Sequence, residues 1–230
     1  MIADALYFGE RKENTNWCTV AFRDLKRKEN LWWDFGETET TSIYLTGRDH
    51  LEKLGYKILS VTGDGFGGLK QAFAGIPYQM CHVHMERIIV NGTTRNPQLE
   101  AGQALLALAK LLYTTDSKTF NHYLDEYLEK YRDFLNERTV NPFTGERFFT
   151  HEPLRRSVMS LLRNRPYLFT FEQNRNIPKT TNSLEGHFSH MRDIVEVHRG
   201  LSRLQKEKVL NSILLASTIA PTKGKLEHIL

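Results

Sequence analysis

The sequence predicts an α/β protein built on a mixed five-stranded sheet flanked by helices. Three observations lead there. Three segments rich in aromatic and β-branched residues precede the first helical pattern, two more short strands then alternate with helical stretches, and beyond Asn96 the pattern becomes wholly helical. A doubly wound dinucleotide fold would alternate strand and helix from the start, so a sheet containing an antiparallel meander fits better.

Taken in order, residues 2–8 are apolar except for Asp4, which is how a strand buried on both faces reads. This strand starts at the first residue with no solvating lead-in, so an upstream part of a longer protein is expected to be missing. Segments 17–23 and 31–35 follow, joined by the polar connector Asp24-Leu25-Lys26-Arg27-Lys28-Glu29-Asn30. Residues 40–54 set Tyr44, Leu51 and Leu54 behind polar starters, a helix that Gly55 stops. Residues 56–62 read as the fourth strand and run into the turn-forming Gly63-Asp64-Gly65-Phe66-Gly67-Gly68. A short helical pattern to Ala74 and a fifth strand over 78–82 complete the order β-β-β-α-β-α-β. Further on, Phe120, Tyr123, Leu124, Tyr127, Leu128, Tyr131 and Leu135 fall at helical spacing, and helices are expected over 154–162, 183–198 and 202–217.

With 40% hydrophobic residues, 13 Phe, 9 Tyr and 3 Trp in 230 positions, the chain has enough apolar surface to offset the entropy of ordering, which excludes a disordered chain. Two cysteines, Cys18 and Cys81, cannot build a disulfide framework or complete a four-ligand zinc site, so a reducing, cytoplasmic setting is expected. The longest apolar runs, such as residues 104–109, fall far short of the roughly 20 that span a bilayer. Neither membrane insertion nor export is expected. The net charge of +4 is unevenly spread: residues 147–206 hold eleven Lys or Arg against five acids, and residues 116–137 hold six acids against three bases. A basic C-terminal half facing a polyanion and a solvated helix surface account for this equally well.

Among residues that could carry chemistry, Asp4 shares one strand face with Ile2, Leu6 and Phe8, where a lone carboxylate needs a cation or a donor. By itself it reads more readily as a strand-end acid that reaches water. Asp64 lies between two glycines that allow close approach of backbone or ligand, and it equally suits a turn or a cap. Glu185 stands at a helix entry, held rigidly on a helix with the apolar stripe Leu184, Phe188, Met191 and Val195; a capping box with Asn182 explains it as well. Cys81 and His84 form a C-x-x-H pair at the end of the fifth strand, half a zinc site without its partner half. His187 and His190 lack the spacing that puts two imidazoles on one helix face, and read as ordinary helix residues.

The combination carries more than its members. Asp4 on the first strand, Asp64 after the fourth and Glu185 on a late helix, with the helical stretch between the last two, resemble the catalytic domain of DDE transposases with a ribonuclease-H-like fold. Within them the chain is most similar to the bacterial insertion-sequence transposases related to the Mutator group. The resemblance rests on Ala3-Asp4-Ala5-Leu6-Tyr7-Phe8, Thr62-Gly63-Asp64-Gly65-Phe66-Gly67-Gly68-Leu69, Cys81-His82-Val83-His84 and Asn182-Ser183-Leu184-Glu185-Gly186. Members of that group carry an N-terminal DNA-binding region before the first Asp, whereas this sequence starts three residues before it.

The resemblance implies a ribonuclease-H-like core over 1–92, an all-helical insertion over 93–170 and C-terminal helices over 171–230 that complete the core. It also implies two Mg²⁺ ions, replaceable by Mn²⁺, with Asp4 bridging them, Asp64 holding one and Glu185 the other. Without metal, three clustered carboxylates repel, and at least one should resist ionisation. Transposon ends and target DNA are the implied partners, bound by a homo-oligomer of the full-length protein. Phosphate contacts would come from Arg155, Arg156, Arg163, Arg165, Lys179, Arg192 and Arg199. An inactive DNA-binding remnant, or a repair nuclease of the same fold, remains open at this stage.

Overall fold

The computed structural model of the chain describes residues 1–10, 15–197 and 200–219. Strands β1 (Ile2–Phe8), β2 (Trp17–Asp24) and β3 (Glu29–Gly36) form the expected meander, and helix α1 (Thr41–Lys53) follows with the Thr40 side chain accepting from the Ile43 amide at its N-cap. Then come β4 (Val61–Gly63), α2 (Gly67–Ala72) and β5 (Tyr78–Met80). The sheet order is β3-β2-β1-β4-β5, with β1 antiparallel to β2 and parallel to β4. It is the mixed sheet of a ribonuclease-H-like α/β fold, and β1 is central.

Helices α3 (His82–Thr93), α4 (Glu100–Leu111), α5 (Ser117–Lys130) and α6 (Arg132–Asn136) lead to a hairpin of β6 (Arg138–Val140) and β7 (Arg147–Phe149). Helices α7 (Glu152–Asn164), α8 (Asn182–Val197) and α9 (Arg203–Ile219) complete the described chain. The chain divides into two compact units, one made of Met1–Tyr78 with the stretch from Thr180 onward, the other of Gln79–Lys179.

Four expectations need correction. The fourth strand is short, because Tyr56 and Leu59 are exposed and pairing begins only where the Val61 amide reaches the Pro77 carbonyl and the Thr62 amide the Met1 carbonyl. The fifth strand stops at Met80; Cys81 is the N-cap of α3, a helix that the apolar run concealed and that Met85 and Ile89, buried at i, i+4, anchor. The C-x-x-H pair therefore opens a helix rather than ending a strand. Finally, the stretch beyond Asn96 is not wholly helical, since Asn141, Pro142 and Gly145 supply turn chemistry between two short segments with β-branched and aromatic residues. His198, the expected end of α8, lies outside the described residues.

In the first unit one sheet face buries Ile2, Leu6, Phe8, Trp17 and Ala21 against Leu184, Phe188, Met191 and Val195 of α8 and Leu210 and Leu214 of α9. The adjacent position on β2, Phe22, points the other way, packing on Trp32, Tyr44 and Phe73. Helix α1 approaches that face at Gly47, where an added Cβ would stand 2.5 Å from the Trp32 ring and 2.6 Å from the Phe22 ring. Alanine at an interior helix position gains about 1 kcal/mol over glycine, but overpacking a rigid core costs about 1–3 kcal/mol. Gly47→Ala is expected to lower Tm by several degrees, at about 2–4 °C per kcal/mol for a chain of this size. Gly186→Ala on α8, where nothing lies within 4 Å, should raise it. Thermal melting of the two variants checks the opposite signs.

Candidate active site

The site is set by strand pairing. Ile2 is registered with Thr62 across the parallel β1–β4 pair, so Asp4 follows two residues later on β1 and Asp64 comes just past the C-terminal end of β4. Asp4 is 6% exposed, among the apolar residues that face α8. Its Oδ1 accepts from the Ala5 amide at 2.9 Å and its Oδ2 from the Thr181 hydroxyl at 3.2 Å.

Thr181 explains how the late helix is aimed. It is fully buried immediately before α8, and its carbonyl receives the Leu184 amide at 2.8 Å and the Glu185 amide at 3.1 Å. Asn182 is already helical, and the residue before the helix donates its hydroxyl to Asp4. This start places Glu185 in the first turn, where one of its carboxylate oxygens lies within 4.8 Å of one of Asp4's.

Asp64 is half-buried just past β4, and its Oδ1 caps its own turn by accepting from the Phe66 amide at 2.9 Å. The Gly65 amide donates to the Tyr78 hydroxyl at 2.9 Å with φ +97°, a conformation that favours glycine. At Gly63 an added Cβ would meet Leu69 at 2.2 Å, so this glycine lets α2 close on the strand end. Among the described residues no trio of ligand-bearing side chains within 4.8 Å of one another includes Asp64.

A fourth acid belongs here that the sequence did not single out. Glu39 precedes α1 and is clamped between two phenols: the Tyr44 hydroxyl donates to Oε1 and the Tyr7 hydroxyl to Oε2 at 3.4 Å, while the Glu39 amide donates to the Tyr7 oxygen at 3.3 Å. Burial pushes its carboxyl up to about 7, the charge of Asp64 adds to this, the Tyr44 bond opposes it, and Asp4 contributes further in the same direction. Its protonated form is thereby favoured. Nothing in Gly36-Glu37-Thr38-Glu39-Thr40 announces the role; only the convergence of Tyr7 and Tyr44 does.

Other expected residues fall into place more simply. Cys81 is buried at the N-cap of α3 and His84 is half-buried in its first turn, both in the second unit. The intervening His82 is a core residue, with Nε2 2.7 Å from the Leu168 carbonyl and its ring among Tyr113, Phe169 and Phe171; burial lowers its pKa. His187 sits in a polar network with Asn30 at 3.2 Å and Ser217 at 3.3 Å, while the Asn30 amide also donates to the Leu214 carbonyl at 3.1 Å. Burial, then the charges of Arg23 and His190, bring its pKa down to about 4, so at neutral pH it is an uncharged tie between β3, α8 and α9.

The basic residues divide. Arg165 is held by both oxygens of Asp125, at 2.6 and 2.8 Å, and by Asn121 at 2.7 Å, and Arg156 is paired with Glu152 at 2.6 Å. Arg163 and Arg192 are exposed, Lys179 lies 4.2 Å over the Phe171 ring and Arg155 lies 4.1 Å over the Phe149 ring. Arg199 lies outside the described residues.

A mixed sheet of this order, with acids on its central strand, at the end of the neighbouring parallel strand and at the start of the covering helix, defines a ribonuclease-H-like protein. A family model described as Transposase IS66 family matches residues 6–194, most of the chain, and the chain belongs to that family. The matched stretch contains Asp64 and Glu185 and starts two residues after Asp4. No match is found among curated proteins. Membership supports a transposase function of the insertion-sequence kind. Among the described residues no helix is long and apolar enough to cross a membrane.

Proposed function

We propose that the chain is a DDE catalytic domain that carries out metal-dependent DNA strand cleavage and strand transfer through Asp4, Asp64 and Glu185. The observation that carries this reading is the approach of Asp4 and Glu185 to within 4.8 Å, two acids from opposite ends of the chain, one of them nearly buried. Such a pair repels unless a cation is shared. The donors fit a hard divalent ion such as Mg²⁺ or Mn²⁺, which takes carboxylate oxygens and keeps some of its waters. In this reading Asp4, Asp64 and Glu185 would hold the ions. When bound, the ions stabilise charge on the attacking and leaving oxygens of an in-line displacement at phosphorus.

The protein's own part is positioning. The Ala5 amide and the Thr181 hydroxyl fix the two oxygens of Asp4, and the first turn of α8 fixes the backbone of Glu185, so little reorganisation is left for the moment of reaction. Arg155, Arg163, Lys179 and Arg192 are proposed to bind phosphates, which position DNA without reading its sequence. The relation to the Mutator group, the helical insertion over 93–170 with 171–230 completing the core, the place of Cys81 and His84 beside the site, assembly as a homo-oligomer and action in the cytoplasm belong to the same reading.

Thermal melting tests the metal site. An ion at a hundredfold its Kd adds about 2.7 kcal/mol to stability, or roughly 5–10 °C in Tm for a chain of this size. Mg²⁺ or Mn²⁺ is expected to raise the Tm of the wild type by that order and to leave Asp4→Asn nearly unmoved. Without metal, Asp4→Asn should melt no lower than wild type, because it removes repulsion with Glu185 and Glu39. If neither ion shifts the wild type, the metal-dependent reading fails.

A further inference from the structure

The hairpin β6–β7 presents chemistry that the acidic site does not use. Its register pairs Arg138 with Phe149, Thr139 with Phe148 and Val140 with Arg147, so Arg138, Val140, Arg147 and Phe149 share one face. The Arg138 guanidinium lies 4.2 Å over the Phe149 ring, and Arg155, reaching in from α7, lies 4.1 Å over the same ring. Among the described residues Arg138, Arg147 and Arg155 have no carboxylate partner; of the nearby acids Glu137 pairs with His151, Glu152 with Arg156, and Glu146 accepts from the Thr144 hydroxyl at 3.5 Å. The Arg155 Nε is buried without a hydrogen-bond partner. Two guanidiniums thus flank one aromatic ring, and Arg147 lies on the same face of the hairpin.

The tip of the hairpin is rigid. The Asn141 amide donates to the Glu146 carbonyl at 2.8 Å and the Gly145 amide to the Asn141 carbonyl at 2.9 Å. Oδ1 of Asn141 accepts from the Phe143 amide at 2.9 Å and the Thr144 amide at 3.3 Å. Gly145, at φ +70°, closes the turn. This frame holds Phe143 out at 96% exposure, the least covered large apolar side chain among the described residues. An aromatic ring fixed in water is unfavourable unless something covers it, and its face suits any base.

We infer that the β6–β7 hairpin is a DNA-contacting arm, in which Arg138, Arg147 and Arg155 bind backbone phosphates and Phe143 stacks on an unpaired base. The inference rests on the DNA-processing reading above and adds Arg138, Arg147 and Phe143 to it. Phosphate matches three unpaired guanidiniums. A second copy docked about a two-fold axis would instead set cation against cation.

Fluorescence anisotropy on the full chain tests it, with a blunt duplex and the same duplex carrying a single-stranded overhang that contains 2-aminopurine. Phe143→Ala is expected to weaken overhang binding about tenfold and to abolish quenching of the 2-aminopurine, leaving the blunt duplex unaffected. Alanine at Arg138, Arg147 and Arg155 should each lower the slope of log affinity against log salt by about 0.9 on both substrates. Arg155→Lys, which keeps the charge, should restore the slope and guards against a folding defect. If the wild type binds DNA and the variants match it in slope and quenching, the arm is refuted while the DNA-processing reading stands. Absence of any wild-type binding refutes both. A shift in sedimentation on Phe143→Ala, with DNA binding unchanged, makes the hairpin a contact between copies and overturns the inference.

Discussion

Glu185→Gln is expected to reduce Mg²⁺- or Mn²⁺-dependent nicking of supercoiled DNA by at least about a hundredfold. Glutamine keeps the length of the side chain and its place in the first turn of α8, so the amide bonds to Thr181 survive and the fold should melt as wild type does. What is lost is one negative charge within 4.8 Å of Asp4. Stabilisation by a correctly held ion is worth several kcal/mol at the transition state, and each 1.36 kcal/mol is about tenfold in rate. Asp4→Asn should act in the same direction and at least as strongly. Its two oxygens are held by Ala5 and Thr181, so it is firmly placed. Equal nicking by wild type and Glu185→Gln would rule out the three-carboxylate mechanism. No nicking by the wild type, despite metal-induced stabilisation, would identify a silent remnant of a transposase.

Glu39→Gln is expected to stabilise the metal-free protein at pH 8 by on the order of 2 kcal/mol, or several degrees in Tm. The carboxyl is raised from 4.5 in the open chain to about 7 in the fold, because burial and the charges of Asp64 and Asp4 disfavour its ionised form. A carboxyl raised in this way binds its proton more tightly in the folded state. Its contribution is complete below about pH 4.5, falls as the pH rises through the interval up to about 7, and is gone above it. Wild-type stability should therefore decline across that window relative to Glu39→Gln. His187 acts with the opposite sign, since a histidine lowered from 6.5 to about 4 loses stability as the pH falls through that range. The two partly cancel in the wild type, and the difference between wild type and Glu39→Gln isolates the glutamate. Thermal melts from pH 5 to 8 in chelator decide it: parallel curves would mean that Glu39 is ionised throughout and that its clamp by Tyr7 and Tyr44 is of no consequence.

The elements that were legible in the sequence are those whose local pattern and tertiary role agree. Apolar neighbours around Asp4 marked a strand buried on both faces, and β1 is the central strand. Thr40 and Gly55 bounded α1, and the stripe Leu184, Phe188, Met191 and Val195 became the face of α8 that packs on the sheet. Where local pattern was ambiguous the reading slipped. The run from Tyr78 onward is apolar enough for strand or helix, and the change at Cys81 depends on the His82 amide finding the Lys179 carbonyl, nearly a hundred residues away. The hairpin within the helical stretch was missed because strands of three residues leave no periodicity to read.

Charge shows the same limit. Arg156 and Arg165 have the composition of phosphate ligands, yet intrachain carboxylates occupy them, while Arg138 and Arg147 have no such partner among the described residues. By itself the sequence determined the order of elements and the mixed sheet, because hydrophobic periodicity and turn chemistry are local properties. Only the tertiary structure decided which acids meet. The parallel register of β1 on β4 sets the strand of Asp4 next to the one that leads into Asp64, the buried hydroxyl of Thr181 ties the start of α8 to Asp4, and two tyrosines from different elements hold Glu39. Those distances depend on packing between segments far apart in the chain, and no local pattern encodes them.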